Sequence, residues 1–170
     1  EGIDAHYRRG GWLWTATSSA QLGSWDGAVA AAARAGERPF EILSAEEVRR
    51  RTGSPVHLGA AFEAGAATVQ PALLARGLRR VAGERGVRIF ERSPMVDLDR
   101  DRGVVRTTSG SVAAGAIVLA TGAWLAAVPE LGRAIVAVSS DIVATAPMPE
   151  RLEEAGWTGG ESISNCRLMV

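Results

Sequence analysis

The sequence predicts an α/β fold for its middle part, residues 67–124, and an α+β fold for residues 1–66 and 125–170. Three observations lead to this prediction. The run 116–119 is apolar and partly β-branched, as in a parallel strand that is covered on both faces. It is preceded by a segment with helical periodicity and by several short strand-like segments. In the flanking parts the strands and helices are grouped rather than alternating, which is typical of an α+β arrangement.

Local signals set the predicted bounds of the elements. Ser44 and Glu47 have the spacing of a capping box and predict a short helix that ends before Gly53. Pro71 suits a first helical turn and Gly86 suits the position after a last one, so a helix is predicted between them. The predicted helices are 19–35, 44–51 and 71–85, with shorter helical turns after Trp124 and at 151–156. The predicted strands are 11–16, 40–43, 57–63, 87–90, 94–98, 103–108, 111–113, 117–120, 134–144 and 162–170.

Composition excludes several classes of function. The 170 residues are 46% hydrophobic and carry 19 basic and 19 acidic side chains, for a formal net charge of zero. Every basic residue is Arg, so no Lys is present to form a Schiff base with a substrate. Charges of both signs are interspersed, which argues against a nucleic-acid-binding surface. Cys166 is the only cysteine, which excludes an internal disulfide and a multi-cysteine metal site and predicts a cytoplasmic protein.

The uncharged run 107–129 is long enough to cross a membrane. Ser109-Gly110 and Thr121-Gly122 interrupt it, and no basic cluster flanks either end. A turn, a strand, a second turn and the start of a helix explain the run better, so no membrane span is predicted.

The end of the predicted strand 117–120 has the character of a nucleotide-binding turn. Ala120, Thr121 and Gly122 remove bulk where an open α/β sheet binds its ligands. Gly122 lets the backbone approach a sugar or phosphate without an intervening Cβ. This segment is therefore the candidate site.

With its upstream context, this segment resembles the flavin-binding domain of FAD-dependent oxidoreductases of the D-amino-acid oxidase, glycine oxidase and sarcosine oxidase family. The resemblance is strongest from Glu63 to Trp124. It is carried by Gln70-Pro71-Ala-Leu-Leu74, Gly86-Val87, Val96, Thr107-Thr-Ser-Gly110, Ala113 and Ile117-Val-Leu-Ala-Thr-Gly-Ala-Trp124.

The resemblance implies FAD as the cofactor and a small amine or amino acid as the substrate, oxidised at its C–N bond by hydride transfer to the flavin. It implies that residues 67–124 are part of a Rossmann-like flavin-binding domain. Residues 1–66 and 125–170 would then belong to an antiparallel-sheet substrate domain. Val96 would offer main-chain groups to the adenine edge, and the backbone of Ala120, Thr121 and Gly122, with Trp124, would lie against the cofactor.

The sequence departs from this family in one respect. A Gly-x-Gly-x-x-Gly motif, which holds the FAD pyrophosphate at a helix N-terminus, is absent from all 170 residues. The chain is therefore expected to be an internal piece of a longer enzyme. By itself it is expected to fold but to carry no stoichiometric FAD and to have no activity.

Other reactive side chains have structural explanations. His6 and His57 have no Cys, Asp or Glu at ligand spacing, so no metal site is predicted. Arg8 and Arg9 suit either a carboxylate-binding strand or, in preference, a solvated strand edge. The alternation of Asp97, Asp99 and Asp101 lacks the glycine and closing glutamate of a calcium loop and indicates a charged hairpin tip. No residue is assigned a catalytic role.

Two alternatives to a flavoenzyme stay open at this point. One is a non-catalytic binding or structural domain, in which the run 116–122 is simply a packed strand. The other is a piece of a nicotinamide-linked reductase, because the sheets of such enzymes also contain apolar strands that end in small residues. The residues alone specify neither the oligomeric state nor the electron acceptor.

Overall fold

The computed structural model describes residues 1–166. The described strands are β1 (Trp12–Ala16), β2 (Phe40–Ser44), β3 (Gly59–Glu63), β4 (Met95–Asp99), β5 (Val104–Thr107), β6 (Gly110–Ala113) and β7 (Ser162–Asn165). The described α-helices are α1 (Asp26–Arg34), α2 (Ala45–Thr52), α3 (Pro71–Glu84) and α4 (Pro149–Glu154), and 3₁₀ turns lie at Ser19–Gln21, Gly122–Ala127 and Gly132–Ala134. The chain forms two compact units, the first made of Glu1–Val87 with Thr145–Val170 and the second of Arg88–Ala144.

The first unit is built on a four-stranded sheet in the order β2-β3-β1-β7. β3 pairs antiparallel with both β1 and β2, whereas β7 pairs parallel with β1. Both faces of the sheet are covered. One buried cluster joins Leu13, Leu43, Val48 and Ala60. The other joins Ala16, Trp25 and Ala61, on the opposite face because side chains alternate along a strand.

The sequence signals of α2 act as predicted. The Ser44 hydroxyl accepts a hydrogen bond from the amide of Glu47 at 3.2 Å, and Gly53 ends the helix at φ 65°. The Glu47 carboxylate accepts from Arg50 and Arg51 one turn further on. Hydrogen bonds from these two guanidinium groups lower the pKa of Glu47 to about 2.

Helix α3 also confirms its predicted bounds, whereas α1 begins later than predicted. The Gln70 side chain accepts from the Leu73 amide at 2.8 Å, Pro71 occupies the first turn, and Gly86 follows the helix at φ 83°. In the 19–35 segment, the Gln21 side chain caps a 3₁₀ turn, and Gly23 at φ 79° then redirects the chain. The α-helix therefore starts at Asp26.

The second unit contains a three-stranded antiparallel meander in the order β4-β5-β6. Leu98, Val105 and Val112 lie opposite one another across the strands and form its apolar stripe. Arg106 lies on the other face, with Nε 3.4 Å from Asp97 and Nη2 3.9 Å from Asp99. These pairs confirm the predicted charged hairpin. No residue of the second unit, all of which lies in the described part of the chain, is buried.

Three predicted strands are absent from the described structure, at 87–90, 117–120 and 134–144. The prediction that Ile117 to Ala120 form a buried strand is wrong for this chain, since Val118 is 86% exposed. In the third segment Ile142 and Val143 are 91% and 92% exposed. A strand is stable only when a neighbouring strand takes up its backbone hydrogen bonds, and none of these segments pairs with a described strand. Of the predicted strand 162–170, residues 162–165 are confirmed and 167–170 lie outside the described residues.

Truncating the core of the first unit is expected to destabilise it strongly. Leu13 has no exposed surface, so Leu13→Ala removes buried methyl groups and leaves a cavity; the expected loss is about 2–5 kcal/mol in unfolding free energy. Val56 is 55% exposed, and Val56→Ala is expected to change that free energy by about 0.5 kcal/mol or less. Urea unfolding followed by Trp fluorescence measures both. Equal losses in the two variants would contradict the assigned core.

Candidate cofactor-binding site

A cavity of the second unit has a volume of about 620 Å³. One wall is strand β4 with the residues beside it, and the other is the 3₁₀ turn Gly122–Ala127 with the residues after it. Most of the lining is apolar. The lining residues are Pro94, Met95, Val96, Asp97, Leu98, Arg100, Thr121, Trp124, Ala127, Val128, Pro129 and Glu130.

Val96 lies on the β4 wall at a break in the regular ladder. The register between β4 and β5 shifts between Met95 and Asp97, which places Val96 at a bulge. β4 has a neighbour on one side only within the described sheet, and the Val96 residue is 61% exposed. A bulged edge strand can present main-chain groups to a ligand, which is the role that the resemblance implies for Val96.

Thr121 and Trp124 line the opposite wall of the same cavity. The amide of Trp124 donates to the carbonyl oxygen of Thr121 at 3.2 Å, which closes the first turn of the 3₁₀ segment. Trp124 is 82% exposed, so this chain leaves its indole largely uncovered. The structure thus brings together three residues of the predicted site, Val96, Thr121 and Trp124.

Ala120 and Gly122 are adjacent to this wall along the chain but do not line the cavity. Gly122 adopts φ +57°, in the left-handed region that favours glycine. A Cβ added at Gly122 would meet no atom of this chain within 4 Å. The backbone here is therefore open to a close approach from outside the chain.

The predicted strand segment retains the side-chain alternation of a strand without its hydrogen bonds. Ile117 and Leu119 line a second cavity of about 290 Å³ together with Leu98, whereas Val118 between them is exposed. This period of two is the pattern of extended backbone. Exposure thus alternates along 117–120, but the segment forms no strand.

Arg100 and Glu130 are the site residues that sequence reasoning missed. Arg100 Nη2 lies 3.3 Å from Glu130 Oε2, and the pair connects the two walls of the larger cavity. Both side chains are more than half exposed. Thirty positions separate them in sequence, and no motif marks either one, so only the fold reveals the pair.

The remaining candidates have structural roles. The Arg8 guanidinium donates to the carbonyl oxygen of Thr158 at 2.8 Å, so it is bound to the chain's own backbone and is neither simply solvated nor shown to bind a carboxylate. His57 is hydrogen bonded to Thr52. Within residues 1–166 no group of side chains has the arrangement of a metal site, and no helix has the length and apolar character needed to cross a membrane.

Residues 1–167 match the family described as FAD dependent oxidoreductase, DAO. The chain belongs to this FAD-dependent oxidoreductase family. The match confirms the resemblance seen in the sequence, and the family's cofactor is FAD.

Two individual oxidoreductases are similar to this chain at modest identity. It is 26% identical over 171 residues to gamma-glutamylputrescine oxidoreductase of Escherichia coli, covering 99% of this chain and 40% of that protein. It is 26% identical over 142 residues to a probable oxidoreductase of Haemophilus influenzae, covering 79% of this chain and 33% of that protein. The chain therefore spans well under half the length of these relatives.

Solved structures of flavoproteins with the DAO fold are also similar to this chain, and they confirm the predicted mixture of helices and sheets. The glycine oxidase of Geobacillus kaustophilus matches with a TM-score of 0.64 and 28% identity, over 74% of this chain and 35% of that one. The iminodiacetate oxidase of a Chelativorans species matches with a TM-score of 0.56 and 27% identity, over 75% and 36%. The L-amino acid deaminase of Proteus vulgaris matches with a TM-score of 0.58 and 25% identity, over 72% and 31%.

The residues present fit part of an FAD site. A mostly apolar cavity lies between an exposed edge strand and a turn whose backbone is open at Gly122, which suits a planar ring and its sugar. The glycine motif that binds a pyrophosphate has no counterpart in the sequence. The described residues therefore suit the nucleoside side of the cofactor.

Proposed function

We propose that the full-length protein is an FAD-dependent oxidoreductase that oxidises an amine or amino acid at a C–N bond, and that these 170 residues supply part of its cofactor site. The observation that carries the proposal is the cavity shared by Val96, Thr121 and Trp124, in a chain that matches the family along 1–167.

The residues would divide the binding of the cofactor between the two walls of the cavity. Val96, on the bulged edge of β4, would offer main-chain hydrogen-bonding groups to the adenine edge. Ala120, Thr121 and Gly122 would lie against the cofactor through their backbone, and Trp124 would cover an apolar part of it. When bound, FAD supplies the acceptor for the hydride that leaves the substrate carbon.

The substrate class follows from what the similar proteins are named for. Glycine oxidase, iminodiacetate oxidase, L-amino acid deaminase and gamma-glutamylputrescine oxidoreductase are all named for compounds that carry a C–N bond. We therefore propose a small amine or amino acid. This chain contains no lysine, so a lysine side chain within it plays no part in holding or activating the substrate.

The proposed division into domains follows the same family likeness. Residues 67–124 would form part of the FAD-binding domain, and residues 1–66 and 125–170 would form the substrate side. A cytoplasmic location, inferred from the single Cys166, is part of the same proposal.

The proposal is tested by the visible spectrum and activity of the protein expressed from its complete reading frame. That protein is expected to be yellow, with about one FAD per chain, and to turn over an amine or amino acid with release of the carbonyl product. The 170-residue chain expressed alone is expected to retain no stoichiometric FAD, because the pyrophosphate would lack its glycine loop and helix end. A colourless complete protein, or one that binds a nicotinamide cofactor instead, would overturn the proposal. If the isolated chain binds FAD stoichiometrically, the glycine loop is not the main source of the affinity for FAD, and that part of the proposal is overturned.

A further inference from the structure

The larger cavity is lined by three charged residues, and two of them are paired with each other across it. Nη2 of Arg100, which follows strand β4, lies 3.3 Å from Oε2 of Glu130, which belongs to the opposite wall. The third charged residue, Asp97, is paired with Arg106 at 3.4 Å within the meander. Arg100 and Glu130 are therefore the charged side chains that connect the two walls.

The two walls differ in how many contacts hold them in place. The β4 wall, residues 94–100, is part of the meander, in which a ladder of hydrogen bonds joins β4 to β5. The turn wall, residues 121–134, lies between residues 114–120 and 135–144, which form no helix and no paired strand. Its own backbone hydrogen bonds are all local. Among these described residues, the ion pair is the only hydrogen bond between the two walls, so it is their one directional contact.

We propose that Arg100 and Glu130 form an ionic clasp that keeps the turn wall close to the β4 wall and so preorganises the cavity for FAD. Both are positioning residues, because they act by placing the walls and not by touching the cofactor. This role rests on the proposed function, since it takes the cavity to be part of the FAD site. A cavity whose walls are already in place binds a ligand more tightly than one whose walls must be ordered on binding, because ordering costs conformational entropy.

The exposure of the clasp limits the size of its effect. The side chains of Arg100 and Glu130 are 51% and 61% exposed, and an ion pair of this kind changes an equilibrium constant by up to roughly fivefold. Reversing one charge has a larger effect than removing it, because two like charges then face each other across the cavity. Single charge reversals are therefore the most sensitive variants for detecting the clasp.

Charge reversal in the protein expressed from its complete reading frame tests the clasp. Flavin-free protein is titrated with FAD, and the change in flavin fluorescence gives Kd. Arg100→Glu and Glu130→Arg are each expected to weaken FAD binding roughly fivefold. The double variant exchanges the two charges and is expected to bind FAD within about twofold of the wild type. A double variant that binds as weakly as the single variants would overturn the clasp.

The sign of the effect in Glu130→Arg separates the clasp from simple attraction of the cofactor. FAD is an anion, so a second cation at the cavity would tighten its binding if only attraction mattered; tighter or unchanged binding in this variant would overturn the clasp. Arg102→Glu is the matched control, because Arg102 is 79% exposed, belongs to the same hairpin as Arg100 and does not line the cavity. Its FAD affinity is expected to stay within about twofold of the wild type. A loss equal to that in Arg100→Glu would also overturn the clasp.

Hydrogen exchange in the flavin-free complete protein tests the clasp without the cofactor. The reporters are the amides of Leu131 and Gly132, which donate to the carbonyl oxygen of Val128 in the turn that carries Glu130. Their exchange is expected to be roughly threefold faster in both single reversals and to return to the wild-type rate in the double variant. Exchange that does not respond to the reversals would overturn the clasp. A wild-type protein that binds no FAD would instead overturn the proposed function, and with it the role of the clasp in preparing the FAD site.

Discussion

Amide exchange in the 170-residue chain expressed alone will divide sharply between its two units. Amides of β1 and β3 in the first unit are expected to exchange roughly 100-fold or more slowly than those of residues 114–121 and 135–144. The first unit buries residues such as Leu13, Val48 and Ala60 completely, whereas the second buries none. Protection requires a hydrogen bond that opens rarely, and neither of the two named segments belongs to a described helix or to a paired strand.

The control for this experiment is the protein expressed from its complete reading frame. There, residues 117–120 are expected to gain protection, because the proposed FAD-binding domain would supply the neighbouring strands that this segment lacks. Mass spectrometry of peptides from 114–121 measures the change. Equal protection of both units in the isolated chain, or no gain in the complete protein, would contradict this account of the exposed strand-like segments.

Substitution of Gly122 is expected to weaken the binding of FAD to the complete protein. Gly122→Val places a β-branched side chain at φ +57°, where the backbone strain alone costs about 1–3 kcal/mol. Gly122→Asn is the sharper variant, since asparagine tolerates left-handed backbone and a Cβ here meets no atom of this chain. Both side chains would enter the space that the proposal gives to the cofactor. We expect FAD to bind on the order of tenfold more weakly, or worse, in both variants.

Comparison of the two variants distinguishes cofactor contact from strain. If the cofactor approaches Gly122, the asparagine variant binds less flavin, while its flavin-free form keeps the unfolding midpoint of the flavin-free wild type. Full flavin content in purified Gly122→Asn would place the cofactor elsewhere. Gly115→Asn is a matched control, because Gly115 also has open space at its Cβ position and belongs to neither the predicted site nor the larger cavity.

Local signals in the sequence predicted α2, α3 and the meander of β4, β5 and β6. These elements depend on contacts within a few residues, such as the Ser44–Glu47 cap and Pro71 in the first turn of α3. The predicted start of α1 at residue 19 was wrong, because the side chain of Gln21 stabilises a 3₁₀ turn there in place of the first turns of the α-helix. The residue types that cap this short turn also occur at the start of longer helices, so the sequence alone does not distinguish the two.

The site was predictable only in part. Val96, Thr121 and Trp124 were named from the family resemblance, and the structure places them around one cavity. The bulge at Val96 and the pairing of Arg100 with Glu130 depend on strand register and chain reversal over many residues, for which the sequence carries no local signal.

The sequence by itself determined the family, the cofactor and the conformation of short segments, because these depend on residue identity and on neighbours along the chain. Tertiary structure decided which apolar runs are buried. Leu13 and Val118 both belong to apolar, strand-like runs, yet one is fully buried and the other is 86% exposed. The difference is that β1 has β3 and β7 beside it, whereas residues 117–120 pair with no described strand. Burial and sheet formation require partners that are distant in sequence, and hydrophobic pattern alone does not supply them.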